Sequence, residues 1–219
     1  MIATLAGLTW MRVRRGRTLV VAGVIAALPL IYAAIARSRD LDSGAKALVS
    51  IQELVLAVLP ALFVSAAIGE DIESKTMTYL WSRPLPRWQI IIGKLVALVP
   101  LALAFQLASL IGASLVGWGR MPSLASCAGL AAAVVAVSGI AAGISTLMPK
   151  YGMAFTLCYM LLFDLVVGAL PASLREISMG YQAQQIATGS GVVEPLVAMV
   201  AVGGTWLGVA LWRIRRIEA

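Results

Sequence analysis

Six apolar runs recur along this chain, and they constrain its fold more than any other feature. Each is close to or above the roughly 20 residues that a transmembrane helix needs. They cover 18–36, 48–68, 89–116, 124–147, 151–170 and 192–212. With 61% hydrophobic and 12% charged residues, a chain of 219 residues cannot hide this apolar surface in a soluble core. The sequence therefore predicts one all-α integral membrane domain, 1–219, with six transmembrane helices.

Lysine and arginine are shared unequally between the connections, and this predicts the orientation. If both termini are cytoplasmic, 12 of the 17 basic residues lie inside and five outside. Cytoplasmic connections carry such an excess. We therefore expect a multi-pass protein of the inner, cytoplasmic membrane, with 1–17 as an interfacial segment. The net charge of +7 then points to anionic membrane lipid as the partner of the basic residues, and not to nucleic acid.

The sequence offers few groups for catalysis or metal binding. It contains no histidine, and its two cysteines, Cys127 and Cys158, stand in separate apolar runs. The usual general base and the usual zinc ligands are therefore missing. We expect no catalytic residue and no metal site in this chain, and an intramembrane enzyme would have few chemical tools.

The connection 69–88, between the second and third runs, carries more charge than a passive linker needs. Three acidic residues near its start are predicted to lie in the first turn of a helix, where carboxylates complement the helix dipole. Residues at three- and four-residue spacing then form one mixed face, and Pro84 and Pro86 end the helix. Such a helix either docks on a soluble partner or merely joins two spans. The candidate docking residues are Glu70, Asp71, Ile72, Thr76, Tyr79, Leu80 and Arg83.

The stretch from Ile68 to Lys94 resembles the region after the second span in permeases of type-2 ABC exporters. That family shows a glutamate, a glycine-threonine pair, an apolar helix, a serine-x-proline step, an arginine and a glycine-lysine pair. The matching residues are Glu70, Thr76, Tyr79-Leu80, Ser82-Arg83-Pro84, Arg87 and Gly93-Lys94. Lys75 stands where the family most often has glycine. Six spans and cytoplasmic termini are compatible with the family over the whole chain.

The resemblance implies that 69–88 is a coupling helix through which a separate ATPase drives the spans. No G-x-x-x-x-G-K-[ST] phosphate loop is present in the sequence. ATP and Mg²⁺ would therefore bind to the ATPase subunit, in two copies, and this chain would hold no cofactor and be no enzyme. A second permease copy, identical or a sibling, would complete the exporter.

Three polar residues inside the apolar runs are candidates for lining a translocation path: Glu53, Gln106 and Asp164. A carboxylate at the centre of a span costs roughly 2.5–3.5 kcal/mol, so Asp164 needs a partner or water. It either lines a path or is held by a hydrogen bond to a neighbouring polar group. An ion-coupled secondary carrier using Asp164 and Glu53 is the main alternative function, and a haem-handling or cytochrome-assembly permease is another.

Smaller features predict local structure. Gly139-x-x-x-Gly143 and Gly204-x-x-x-Gly208 predict close helix packing within the chain, in preference to a dimer seam. Prolines 29, 60 and 100 lie inside apolar runs, where they are predicted to kink helices and not to end them. Between the fifth and sixth runs, the resemblance implies short re-entrant helices, and a plain extracellular loop is the other interpretation.

Overall fold

A computed structural model describes residues 2–38, 44–73, 88–170, 173–189 and 191–216 of the chain. Among these residues 93% are helical and none lies in a strand. This described part contains six helices that are long and apolar enough to cross a membrane. We call them spans one to six; they are Thr18–Ser38, Leu48–Ile72, Trp88–Trp118, Leu124–Leu147, Pro149–Ala169 and Val193–Arg216. The predicted all-α membrane fold with six candidate spans is confirmed.

Shorter helices complete the bundle. An N-terminal helix, Ile2–Arg15, precedes span one and packs against span three. Between spans five and six, a 3-10 helix covers Ser173–Ile177, and an α-helix follows at Met179–Thr188. The latter packs against span four, where Ala183 and Ile186 lie against Gly129; Met179, Ala183 and Ile186 are buried. This connection therefore contains buried helical structure.

Spans two and five each contain a π-helical turn. In span two the α-helix Gly44–Pro60 passes into the π-helical turn Ala61–Ser65 and then into the α-helix Ala66–Glu73. The wide turn begins directly after Pro60, which lacks an N–H group and whose ring clashes with the carbonyl group four residues earlier. Pro29 and Pro100, in contrast, lie inside α-helices that continue past them. Span five comprises Pro149–Tyr151, Gly152–Cys158, the π-helical turn Tyr159–Asp164 and Leu165–Ala169.

Span four lies at the centre of the bundle because its small side chains let other helices approach closely. A Cβ atom added at Gly139 would lie 2.5 Å from the carbonyl oxygen of Gly203 in span six. One added at Gly143 would lie 2.6 Å from the carbonyl oxygen of Trp206. Real Cβ atoms do not come this close to backbone oxygen, so both positions require glycine. The predicted packing role of this first glycine pair is confirmed.

The second glycine pair behaves differently from the prediction. A Cβ atom at Gly204 or Gly208 would meet no described atom within 4 Å. The residue of span six that enters the interface is Gly203, where an added Cβ would lie 2.7 Å from the Cα atom of Ala136. Successive residues of a helix point about 100° apart, so Gly204 and Gly208 face away from span four. The prediction that this pair packs within the chain was therefore wrong for the described residues.

The acidic residues of the predicted coupling helix continue the helix of span two and do not begin a new one. Glu70 and Asp71 belong to the segment Ala66–Glu73, which completes span two. The prediction that they occupy a first turn was therefore wrong. Arg12 and Lys94 supply the charge that compensates these two carboxylates. Four of the candidate docking residues lie outside the described residues, namely Thr76, Tyr79, Leu80 and Arg83.

Candidate functional site

An ion-pair cluster joins the end of span two, the start of span three and the N-terminal helix. Lys94 Nζ lies 2.5 Å from Asp71 Oδ2 and donates a hydrogen bond to the carbonyl oxygen of Ala67 at 2.6 Å. Arg12 Nη1 donates to Asp71 Oδ1 at 2.7 Å, and Arg12 Nη2 donates to Glu70 Oε1 at 2.8 Å. Both carboxylate oxygens of Asp71 are therefore bonded. We call these four charged residues the charged cluster.

The members of the charged cluster differ in burial, and so in the strength of their contacts. The side chains of Asp71 and Lys94 are only 11% and 7% exposed, whereas those of Arg12 and Glu70 are 57% and 62% exposed. An exposed ion pair contributes about 0–1 kcal/mol, while a buried one has no water to replace its partner. Hydrogen bonding to Asp71 raises the pKa of the Arg12 guanidinium above its ordinary value, so Arg12 stays charged. The pair Asp71–Lys94 is thus the centre of the cluster.

On its opposite side, the last part of span two contacts the start of span five. A Cβ atom added at Gly69 would lie 2.5 Å from the carbonyl oxygen of Pro149. Gly69 therefore lets the two backbones touch, one residue before Glu70. The last turns of span two are held on one side by the charged cluster and on the other by this contact. A displacement of the chain at residue 73 would consequently reach three neighbouring elements.

Three of the predicted docking residues, Glu70, Asp71 and Ile72, are described, and their surroundings differ. Asp71 faces inward and is bonded to Arg12 and Lys94, so its carboxylate is not presented to a partner. Ile72 packs partly buried against the main apolar core. Glu70 is exposed. Of these three, Glu70 alone offers a charged surface, and its role in docking stays a prediction.

A second polar site lies in the connection between spans five and six. Asp164 is 4% exposed, and its carboxylate faces the first turn of the helix Met179–Thr188. Its Oδ1 accepts from the Met179 N–H at 2.6 Å, and its Oδ2 accepts from the Gly180 N–H and from Ser178 Oγ, both at 3.2 Å. A carboxylate is stabilised at such an N-terminus by the free N–H groups and the helix dipole. The structure therefore supports the interpretation that Asp164 is held by hydrogen bonds to neighbouring polar groups.

Glu53 lies beside Asp164, whereas Gln106 lies elsewhere. Glu53 Oε1 accepts from Gln184 Nε2 at 2.6 Å, and Glu53 and Asp164 line one cavity of about 240 Å³. Gly180 lies between them: an added Cβ there would be 3.1 Å from Glu53 Oε1 and 3.5 Å from Asp164 Oδ2. Gln106 is fully buried and donates to the carbonyl oxygen of Gln52 at 3.2 Å. Two of the three predicted path residues are thus brought together.

The contacts of Asp164 lead to a stability prediction. We expect Asp164→Ala to lower the free energy of unfolding by about 3 kcal/mol, because two backbone N–H groups lose a charged acceptor worth roughly 1.5–3 kcal/mol each. Asp164→Asn, which keeps one carbonyl acceptor, should lose less. Thermal unfolding of the purified protein measures the difference, and hydrogen exchange at Met179 and Gly180 locates it. Glu53→Gln, which removes a neighbouring charge and keeps an acceptor for Gln184, is the control. Equal stability of Asp164→Ala and the wild type would contradict the assigned contacts.

Sequence reasoning missed Arg12 and Gly69 as members of the first site. Arg12 appears in the sequence as one of several arginines near the N-terminus, and its partner Asp71 lies 59 residues away. Lys94 was part of the recognised motif, although nothing in the motif showed that it pairs with Asp71. Within the described residues, no group of three or more cysteine, aspartate and glutamate side chains is placed to hold a metal ion. Comparison of the chain with models of known protein families and with curated protein sequences gives no match.

Proposed function

We propose that this chain is the permease subunit of a type-2 ABC exporter, driven by a separate ATPase that docks on residues 69–88. The observation that carries the proposal is the charged cluster. It fixes the chain before this segment, at Asp71, to the chain after it, at Lys94, and both to Arg12 of the N-terminal helix. The sequence motif between Ile68 and Lys94 and the six candidate spans support the same assignment.

The contacts suggest how a force on residues 69–88 reaches the membrane. Because Asp71 and Lys94 form a buried pair, spans two and three would move together when a partner pushes on the segment between them. The backbone contact between Gly69 and Pro149 would pass the displacement to span five. ATP bound by the partner supplies the free energy. Two permeases and two ATPases, with both termini of the permease in the cytoplasm, complete the proposed transporter.

Purification of the tagged protein from its native membranes in mild detergent tests the proposal. We expect Mg²⁺-dependent ATP hydrolysis to copurify with the wild type. Leu80→Arg should lower the copurified activity more than about tenfold, since a charge in an apolar docking contact costs 2 kcal/mol or more. Leu174→Arg, at an exposed leucine between spans five and six, is the matched control and should keep the activity. A wild type without ATPase activity, or a Leu80→Arg variant that keeps it and still transports, would overturn the proposal.

One observation favours a second candidate, an ion-coupled carrier. Glu53 and Asp164 line the same cavity, and paired carboxylates inside a membrane can bind a proton or a cation in exchange for substrate. Transport in sealed vesicles distinguishes the two functions. Transport that needs ATP and persists in Glu53→Gln supports the ABC proposal, whereas transport that an ion gradient drives without ATP, and that Glu53→Gln abolishes, supports the carrier.

A further inference from the structure

A cavity of about 390 Å³ lies between the N-terminal helix and spans two and three. Its volume is within the range of roughly 300–1,000 Å³ that small-molecule sites have. The walls are largely apolar. The side chains that form them include Leu5, Leu8 and Val13 of the N-terminal helix and Leu62, Phe63 and Ala66 of span two. Such walls suit a hydrocarbon chain better than a water-soluble ligand.

The charged cluster lines another part of the same cavity, so the cavity is amphipathic. Arg12, Glu70, Asp71 and Lys94 all belong to its lining. Asp71 is buried and is occupied by its contacts with Lys94, also buried, and with the exposed Arg12. The pair between Arg12 and Glu70 is exposed and therefore weak, and a phosphate group can replace the Glu70 carboxylate on Arg12 Nη2. Two further arginines nearby, Arg14 and Arg17, are exposed and leave this region with a positive charge.

The N-terminal helix that closes the cavity has the character of a helix at a membrane surface. With 14 residues it is too short to cross a bilayer. Trp10 and Met11, which do not line the cavity, are each close to half exposed, whereas Ala6 and Val13 pack against the core. Apolar side chains that point away from the protein, together with arginines at one end, are typical of helices that lie at the lipid interface.

We infer that this cavity binds an anionic phospholipid, with an acyl chain between the N-terminal helix and span two and with the phosphate on Arg12. The apolar walls of the cavity bind the acyl chain, and the excess of arginine selects an anionic headgroup over a zwitterionic one. The site follows from the described side chains alone and holds whether or not the chain is an ABC permease. A bound lipid would compete with Glu70 for Arg12 and so weaken the exposed ion pair between these two residues.

Native mass spectrometry of the protein, extracted from vesicles of equimolar phosphatidylglycerol and phosphatidylcholine, tests the inference. We expect the wild type to retain one phosphatidylglycerol molecule and several-fold less phosphatidylcholine. Ala66→Phe fills the cavity and should abolish the retention. Ala201→Phe adds the same side chain at an exposed position of span six and is the matched control. Arg12→Gln should remove the preference for phosphatidylglycerol and leave the part of the cavity that holds the acyl chain open.

Three results would overturn the inference. The first is equal retention of the two lipids by the wild type. The second is unchanged retention in Ala66→Phe, which would place the lipid elsewhere on the protein surface. The third is a wild type that retains no lipid at all, which would mean that other parts of the chain fill the cavity. Thermal unfolding of each variant shows that a loss of lipid does not come from a loss of fold.

Discussion

Gly139→Ala is expected to lower the free energy of unfolding by about 1–3 kcal/mol or more, while Gly204→Ala leaves it unchanged or raises it slightly. The added methyl group at Gly139 would lie 2.5 Å from a backbone oxygen of span six, and backbone cannot move aside as a flexible side chain does. At Gly204 nothing described lies within 4 Å. There the higher helix propensity of alanine, worth up to about 1 kcal/mol, acts alone. Thermal unfolding in detergent measures both changes.

Gly143→Ala and Gly208→Ala form a second matched pair with the same expected signs. A Cβ at Gly143 would lie 2.6 Å from the carbonyl oxygen of Trp206, whereas Gly208 is open in the described structure. Wild-type stability in both Gly139→Ala and Gly143→Ala would show that spans four and six do not touch there. A loss of stability in Gly204→Ala would instead show that another subunit covers this face in the assembled protein.

Lys94→Met is expected to destabilise the protein by about 3–5 kcal/mol, the usual cost of removing one partner of a buried ion pair. The lost ammonium leaves the Asp71 carboxylate, only 11% exposed, with Arg12 as its sole remaining charged partner among the described residues. Methionine has nearly the same shape as lysine, so the change in packing is small. Thermal unfolding of the purified variant measures the effect.

Two comparisons separate the charge effect from a general loss of packing. Asp71→Leu combined with Lys94→Met removes both buried charges and should recover most of the lost stability, because apolar replacements of a buried pair are often neutral. Arg12→Met should cost far less than Lys94→Met, since the Arg12 side chain is 57% exposed. A double variant as unstable as Lys94→Met alone would refute the assigned pair.

The spans could be predicted because hydropathy is a local property that adds up along the chain. The continuation of span two through Glu70 and Asp71 could not, because two carboxylates at the end of an apolar run look like the start of a new helix. Their stability within span two depends on Arg12 and Lys94, which are distant in the sequence. Pairing between distant charges depends on how the helices pack, and hydropathy carries no information about it.

The sequence predicts that Asp164 needs a hydrogen-bonding partner, but it does not predict which groups supply the hydrogen bonds. The cost of a carboxylate in a span indicates that Asp164 needs a partner. Two of the groups that satisfy it are backbone N–H groups, at Met179 and Gly180, and every residue but proline offers one. Ser178, which also caps the following helix by accepting from the Tyr181 N–H, was the only side-chain signal of this contact.

A helical wheel drawn through span two with a constant step of about 100° per residue misplaces every side chain after Ser65. The turn Ala61–Ser65 holds more residues than an α-helical turn. The side chains beyond it are therefore rotated about the helix axis by roughly the angle of one residue, compared with a regular α-helix. That rotation decides which face of the span carries Asp71. A one-residue deletion inside Ala61–Ser65 would be absorbed as the wide turn tightens, whereas the same deletion between Ala66 and Glu70 would rotate the Asp71 carboxylate away from Lys94. Register at the end of this span is therefore set two turns earlier, beside a proline.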